Sequence, residues 1–257
     1  MAKALEITAF ANDLLRTSEI PDYPNALNGM QIGSDAEIAR IAAAVDFSER
    51  TVKGAVAAGA NLLFVHHGAF WGGLAPLTGR RFDLVRSMIA NSLAIYSSHL
   101  PLDCHPTLGN NVLLARKLGL TPSSGFGEFH GIKIGVAGES SGSIKALLQT
   151  ASAFAAEHGG RVHATAYDDE RVVGKWGICS GSGANPDSLR EAAERGIQTL
   201  VVGEGPHWTA VHAEENGLVI IYAGHYATET LGVQALASAI GDEFGILWEF
   251  IAAPTGT

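Results

Sequence analysis

Gly59-Ala60-Asn61-Leu62-Leu63-Phe64-Val65-His66-His67-Gly68, followed by Trp71, is a short apolar run that ends in two imidazoles and a glycine. Four large apolar residues between polar or glycine flanks are too few for a helix and suit a strand buried on both faces. The same design returns as Gly196-Ile197-Gln198-Thr199-Leu200-Val201-Val202-Gly203-Glu204-Gly205, followed by Trp208, at a constant offset of 137 residues. Further on, Asn91 to Asp103 matches Asn216 to Glu229 with a one-residue gap, and each stretch carries a histidine followed four residues later by a carboxylate: His99 and Asp103, His225 and Glu229. A fold built twice is the simplest reading of these paired stretches.

Working outward, residues 4–16 read as an amphipathic helix and Asn25–Asp35 as a loop. Ile41–Asp46 is a short strand ending in a carboxylate, Ser48 caps a helix reaching Ala58, and the run ending at His66 is the next strand. Phe82–Ala90, Leu93–Ser97 and Asn110–Leu118 continue the alternation as helix, strand and helix. Pro, Ser and Gly concentrate in Thr121–Gly127, which marks the expected linker. The second half repeats the rhythm from Ile132, through strands at Gly174–Ser180, Thr199–Val202 and Leu218–Tyr222, to a helix over Tyr226–Ile240 and a last strand at Gly245–Ile251. The expectation is an α/β protein of two similar halves, 1–120 and 131–257, joined by a linker at 121–130, with mostly parallel sheets covered by helices. In such sheets ligands gather at the carboxyl ends of the strands. Those ends carry Asp46, His66, His67, His99, Glu204 and His225.

Composition narrows the function. The 257 residues carry a net charge of −9 and no cluster of Lys or Arg, so no basic face for nucleic acid is expected. Two cysteines, Cys104 and Cys179, without CxxC spacing fit a reducing compartment rather than a disulfide framework. No apolar run reaches membrane-spanning length, and the first residues lack the apolar core of a signal peptide, so a cytoplasmic protein without a membrane partner is expected. Gly181-Ser182-Gly183 lacks the lysine of a P-loop and the third glycine of a dinucleotide fingerprint, which makes it a tight turn first and a phosphate cradle second.

Imidazole nitrogens and carboxylate oxygens together suit divalent Zn, Mn, Fe or Ni. A single buried histidine is ordinarily a hydrogen-bonded core residue. Adjacent histidines, a His-x-x-x-Asp and a His-x-x-x-Glu, all at element ends, point instead to a convergent metal site. Neighbouring histidines on a strand point to opposite faces, so His66 and His67 are placed to serve two ions, and the two oxygens of Glu229 suit a bridge. His99, Asp46 and Glu204 are divided between orienting the ligands and a purely structural role. Of the remaining histidines, His207 beside Trp208 is a candidate pocket residue.

Val65-His66-His67-Gly68-Ala69-Phe70-Trp71, Ser98-His99-Leu100-Pro101-Leu102-Asp103, Leu108-Gly109-Asn110-Asn111, Gly203-Glu204 and Gly224-His225-Tyr226-Ala227-Thr228-Glu229 together resemble the Ngg-interacting-factor family, whose members are also described as GTP cyclohydrolase I type 2 homologues. The resemblance runs from about Asn28 to the C-terminus and departs in small ways, such as Tyr226 where some members have His. It implies a dinuclear site between the two halves, with His66, His67, Asp103, His225 and Glu229 as ligands, in a short form without an inserted domain. It also implies a homohexamer. The expected activity is that of a metal-dependent hydrolase, with a hydroxide on the metals attacking a small heterocyclic or nucleotide-like substrate, and with His99 and Glu204 as proton-transfer groups. The rival expectation is a metal-binding or regulatory protein without catalysis.

Overall fold

The run that opens the reading is a strand, Leu62–His67, in the computed structural model, which describes residues 2–73 and 75–256. In chain order the first elements are α1 (Ala4–Leu15), β1 (Gly29–Ile32), β2 (Arg40–Asp46), α2 (Glu49–Ala57), β3 (Leu62–His67), α3 (Gly79–Ala90), β4 (Ala94–Ser97), α4 (Leu100–Asp103) and α5 (Asn110–Lys117). They are followed by β5 (Ser124–Phe129), β6 (Ile132–Ser143), α6 (Ile144–Glu157), β7 (His163–Ala164), β8 (Val172–Cys179), α7 (Pro186–Arg195) and β9 (Thr199–Val202). The chain ends with α8 (His207–Glu215), β10 (Val219–Tyr222), α9 (His225–Thr228), α10 (Thr230–Phe244) and β11 (Leu247–Phe250). None of the helices is long and apolar enough to cross a membrane among the described residues.

Two compact units share these elements: Met1–His105 with Gly232–Ala253, and Pro106–Leu231 with Pro254–Thr257. The first holds a five-stranded sheet in the order β1-β4-β3-β2-β11, in which β11, β2, β3 and β4 run parallel and β1 is antiparallel at the edge. On one face Ala42, Ala44, Leu63, Val65 and Ile95 pack with Val52 and Ala55 of α2 and Met88 of α3. On the other, Phe64 and Tyr96 meet edge to face at 5.2 Å, and the Tyr96 hydroxyl donates to Asn12 Oδ1 of α1 at 2.9 Å. Burial on both faces explains why β3 is an unbroken apolar run.

The second unit holds a six-stranded sheet, β5-β6-β8-β9-β10-β7, with β8, β9 and β10 parallel and β5, β6 and β7 antiparallel. Alternate residues divide its core. Ile178, Val201, Val219 and Ile221 pack with Leu114, Leu147 and Phe154. Leu200, Val202 and Ile220 pack on the opposite face with Leu189, Ala192 and Ala213. Helices therefore cover both faces, as the alternation of elements requires.

Several expectations change. The stretch 121–130, expected as linker, carries β5, which pairs with β6 through a two-residue turn at His130 and Gly131, with φ of 47° and 84°. Such a turn needs left-handed backbone at both positions, and the second is glycine. The glycines of β5 hid the strand: a side chain at Gly125 would run into Lys133 of the neighbouring strand. Asn25–Asp35, expected as loop, includes β1, and the expected last strand of the second half, β11, pairs instead with β2 of the first sheet. The second sheet is also less parallel than expected, because its outer strands are added as antiparallel hairpins and edges.

Candidate metal centre

In the first unit, β3 delivers His66 and His67 to its carboxyl end, where the ring centroids lie 4.8 Å apart although the residues are neighbours. The chain leaves the strand at Gly68. A side chain on Gly68 would collide with Gln31, whose Oε1 accepts the Ala69 amide at 2.7 Å and pins the turn. His99 follows β4 and precedes the single turn α4, which places Asp103 one turn on, its amide donating to the His99 carbonyl at 3.1 Å. One ligand atom from each of His66, His67 and His99 lies within 4.8 Å of the other two. Asp103 Oδ2 is 3.5 Å from His66 Nε2. His66, His99 and Asp103 are buried and His67 is half-buried.

Each of these imidazoles is held by its Nδ1. That of His66 donates to the Ser98 carbonyl at 2.9 Å, that of His67 to Asp46 Oδ1 at 2.9 Å, and that of His99 to Asp22 Oδ1 at 2.8 Å. Asp22 also accepts from Asn28 Nδ2 and the Leu100 amide, both at 2.8 Å. Its burial raises the carboxyl pKa, but the bonds from His99, Asn28 and Leu100 outweigh it and hold the group below the ordinary carboxylate value. In a neutral imidazole, Nδ1 donation makes Nε2 the nitrogen that carries the lone pair, the form in which histidine binds metal.

The second unit repeats the device. Gly224, at φ 92°, turns the chain from β10 into α9, so that His225 begins the turn and Glu229 follows it. His225 Nδ1 donates to Glu204 Oε1 at 2.8 Å, and its Nε2 lies 3.2 Å from Glu229 Oε2. Burial lowers the His225 pKa, but the two carboxylates overcome it and raise the imidazole to about 9. Ser182 of the glycine-rich loop donates to Glu204 Oε1 at 3.2 Å. A side chain on Gly181 would strike Glu229 Oε1 and come within 3.2 Å of His225 Nε2. That loop is therefore wall and support for His225 and Glu229.

The donor set fits a divalent ion: imidazoles with oriented Nδ1 groups, buried carboxylates beside the Nε2 atoms of His66 and His225, and a glycine where any side chain would intrude. The family model of Duf34/NIF3 (NGG1p interacting factor 3) matches residues 2–255. The chain belongs to this family. A Duf34/NIF3 relative from Deinococcus radiodurans, named GTP cyclohydrolase 1 type 2 homolog, is 41% identical over 257 residues, covering 98% of this chain and 93% of its own. Its namesake from Halobacterium salinarum is 42% identical over 253 residues, with 98% of both chains covered. The solved structure of protein ybgI, described as of unknown function, superposes with a TM-score of 0.87 at 30% identity over the full length of both chains.

Within this Duf34/NIF3 chain the first unit brings His66, His67, Asp103 and His99 together, and the second brings His225, Glu229 and Glu204 together. Sequence reasoning divided Asp46 and Glu204, with His99, between orienting the ligands and a purely structural role; Asp46 and Glu204 each accept from a histidine Nδ1. It missed Asp22, Asn28, Gln31 and Ser98. Asp22 lies 77 residues from His99, so no local spacing could reveal the pair. His66 is held by a backbone carbonyl, which leaves no trace in side-chain identity.

Proposed function

We propose that this chain is a metal-dependent hydrolase-like protein in which His66, His67, Asp103, His225 and Glu229 hold two divalent ions and a small heterocyclic or nucleotide-like compound is the substrate. The observation that carries the reading is that His66, His67 and His225, the three histidines of this set, all donate from Nδ1 to a carbonyl or carboxylate, which is how ligating histidines are oriented. Divalent ions, when bound, would polarise a water enough to ionise it near neutral pH. Glu229 offers two oxygens and is the residue suited to bridging.

The residues themselves divide the remaining work. His99, locked by Asp22, presents Nε2 beside the ligand atoms of His66 and His67 and is assigned proton transfer. Glu204 is half-exposed, holds His225 in its ligating orientation, and keeps Oε2 available for a second proton-transfer role. Trp71, with its ring centroid 4.8 Å from that of His67 and 4.6 Å from that of His99, restricts water on that side. The names of the relatives make a purine or pterin precursor the first substrate class to try.

The test is elemental analysis of protein purified without chelator, followed by turnover against nucleotides, pterin precursors and phosphoesters at defined metal content. Metal-dependent product formation supports the reading. Bound metal with saturable ligand binding and no product with any member of the panel would instead make the chain a metal-binding or regulatory protein.

A further inference from the structure

The second unit contains a cleft of about 610 Å³ beyond the carboxyl ends of β9 and β10, bordered by Arg161, His163, Glu204, His207 and Tyr222 and by the backbone of Gly203 and Gly205. We propose that this cleft binds a phosphate-bearing small molecule through Arg161, His163 and His207. The volume falls within the range of small-molecule sites, about 300 to 1,000 Å³, and the position at parallel strand ends is where α/β sheets take their ligands.

The charge pattern identifies the ligand class. The chain is acidic overall, and six of its eleven arginines, Arg16, Arg40, Arg80, Arg86, Arg190 and Arg195, each face a glutamate or aspartate. Arg161 meets no carboxylate among the described residues, yet it borders the cleft together with two exposed histidines. A guanidinium presents a planar fork of donors that matches two phosphate oxygens, and imidazole N–H groups add further donors. The single side-chain carboxylate of the cleft among the described residues, Glu204, has its Oε1 engaged by His225 Nδ1 at 2.8 Å and by the Ser182 hydroxyl at 3.2 Å. Pro206, Ala210 and Tyr222 add apolar surface to the lining. The tyrosine ring is fixed there by a 2.8 Å bond between its hydroxyl and Thr209 Oγ1. A ligand with phosphate at one end and a flat ring at the other matches this division.

Which end of the ligand reacts rests on the proposed metal centre, because Glu204 belongs both to the cleft and to the orientation of His225. Phosphate binding itself does not rest on that centre. Inorganic pyrophosphate and a nucleoside triphosphate, titrated calorimetrically into the metal-loaded protein, are the probes. Arg161→Gln should weaken pyrophosphate at least tenfold and Arg161→Lys less, with metal content and Tm unchanged, since Arg161 is exposed and makes no ion pair among the described residues. His207→Asn should weaken it severalfold, and affinity should fall with added salt. The nucleoside triphosphate should bind more tightly than pyrophosphate and lose the same factor in Arg161→Gln. Unchanged affinity in an Arg161→Gln, His207→Asn double variant overturns the proposal, as does affinity lost in Glu229→Gln but kept in Arg161→Gln, which would put the anion on the metals. Arg161-dependent binding in protein that turns nothing over leaves the cleft standing and removes the hydrolase reading. Turnover with kcat/KM equal in wild type and Arg161→Gln does the reverse.

Discussion

Asp22 Oδ1 accepts from His99 Nδ1 at 2.8 Å, and the same carboxylate takes the Leu100 amide through Oδ2 at 2.8 Å. The aspartate thus fixes both the imidazole and the start of the turn that carries Asp103. Asp22→Ala should lower metal affinity about 10- to 100-fold through misorientation. Competition titration against a fluorescent chelator measures this, and wild-type affinity in a folded variant would reduce Asp22 to a structural residue.

His99→Ala should keep most of the metal and lose about 10²- to 10⁴-fold in turnover, the usual contribution of a positioned proton-transfer group. His66→Ala serves as the comparison. If the two variants lose metal equally in elemental analysis, His99 is itself a ligand.

Glu229→Gln keeps the shape of the side chain and removes its charge. As the proposed bridge, this residue should cost occupancy of both metal positions, read as the metal-to-protein ratio. Full occupancy in the variant would exclude a bridging role.

His225 carries a pH signature. Its pKa is raised to about 9 from the ordinary 6.5. In metal-free protein its pairing with Glu229 and Glu204 therefore stabilises the fold fully below pH 6.5, and that contribution is lost as pH rises through 9. Metal must displace the same proton, so apparent affinity should rise about tenfold per pH unit from 6.5 toward 9. Thermal melts of the chelated protein should fall over the same interval in which metal titrations tighten. Affinity independent of pH there would show that His225 takes no part in binding.

Gly181→Ala should be costly for two separate reasons. The position has φ 60°, which costs an L-residue about 1 kcal/mol, and the added methyl would strike Glu229. Reduced Tm together with lost metal is expected. A change in Tm alone would mean that Glu229 can move aside without cost to the site.

The periodic elements and the site-bearing ends of β3, β4, β9 and β10 were legible because burial on both faces forces unbroken apolar runs, and the polar residues that stop them stand out. Ser48, expected as an N-cap, accepts from the Thr51 amide at 3.2 Å. Helix α8 escaped notice because its apolar residues do not form one stripe: Trp208 and Val211 are exposed while Ala213 is buried. Strand β7 is two residues long and gains its place only by pairing with β10. The ligand-type residues were visible by type and spacing. The atoms that orient His66 and His99 were not, since a carbonyl and an aspartate far off in the chain become partners only once the sheet is assembled.

Pairing β11 with β2 has a consequence for biosynthesis. The first sheet lacks its final edge strand until Leu247–Phe250 leave the ribosome, by which time every residue of the second sheet has already been made. Vectorial folding of the amino-terminal unit ahead of its neighbour is thereby ruled out for the complete sheet, and the exposed side of β2 must wait through the synthesis of about two hundred residues. Long-range closure of this kind slows folding and leaves an open strand edge exposed to other chains.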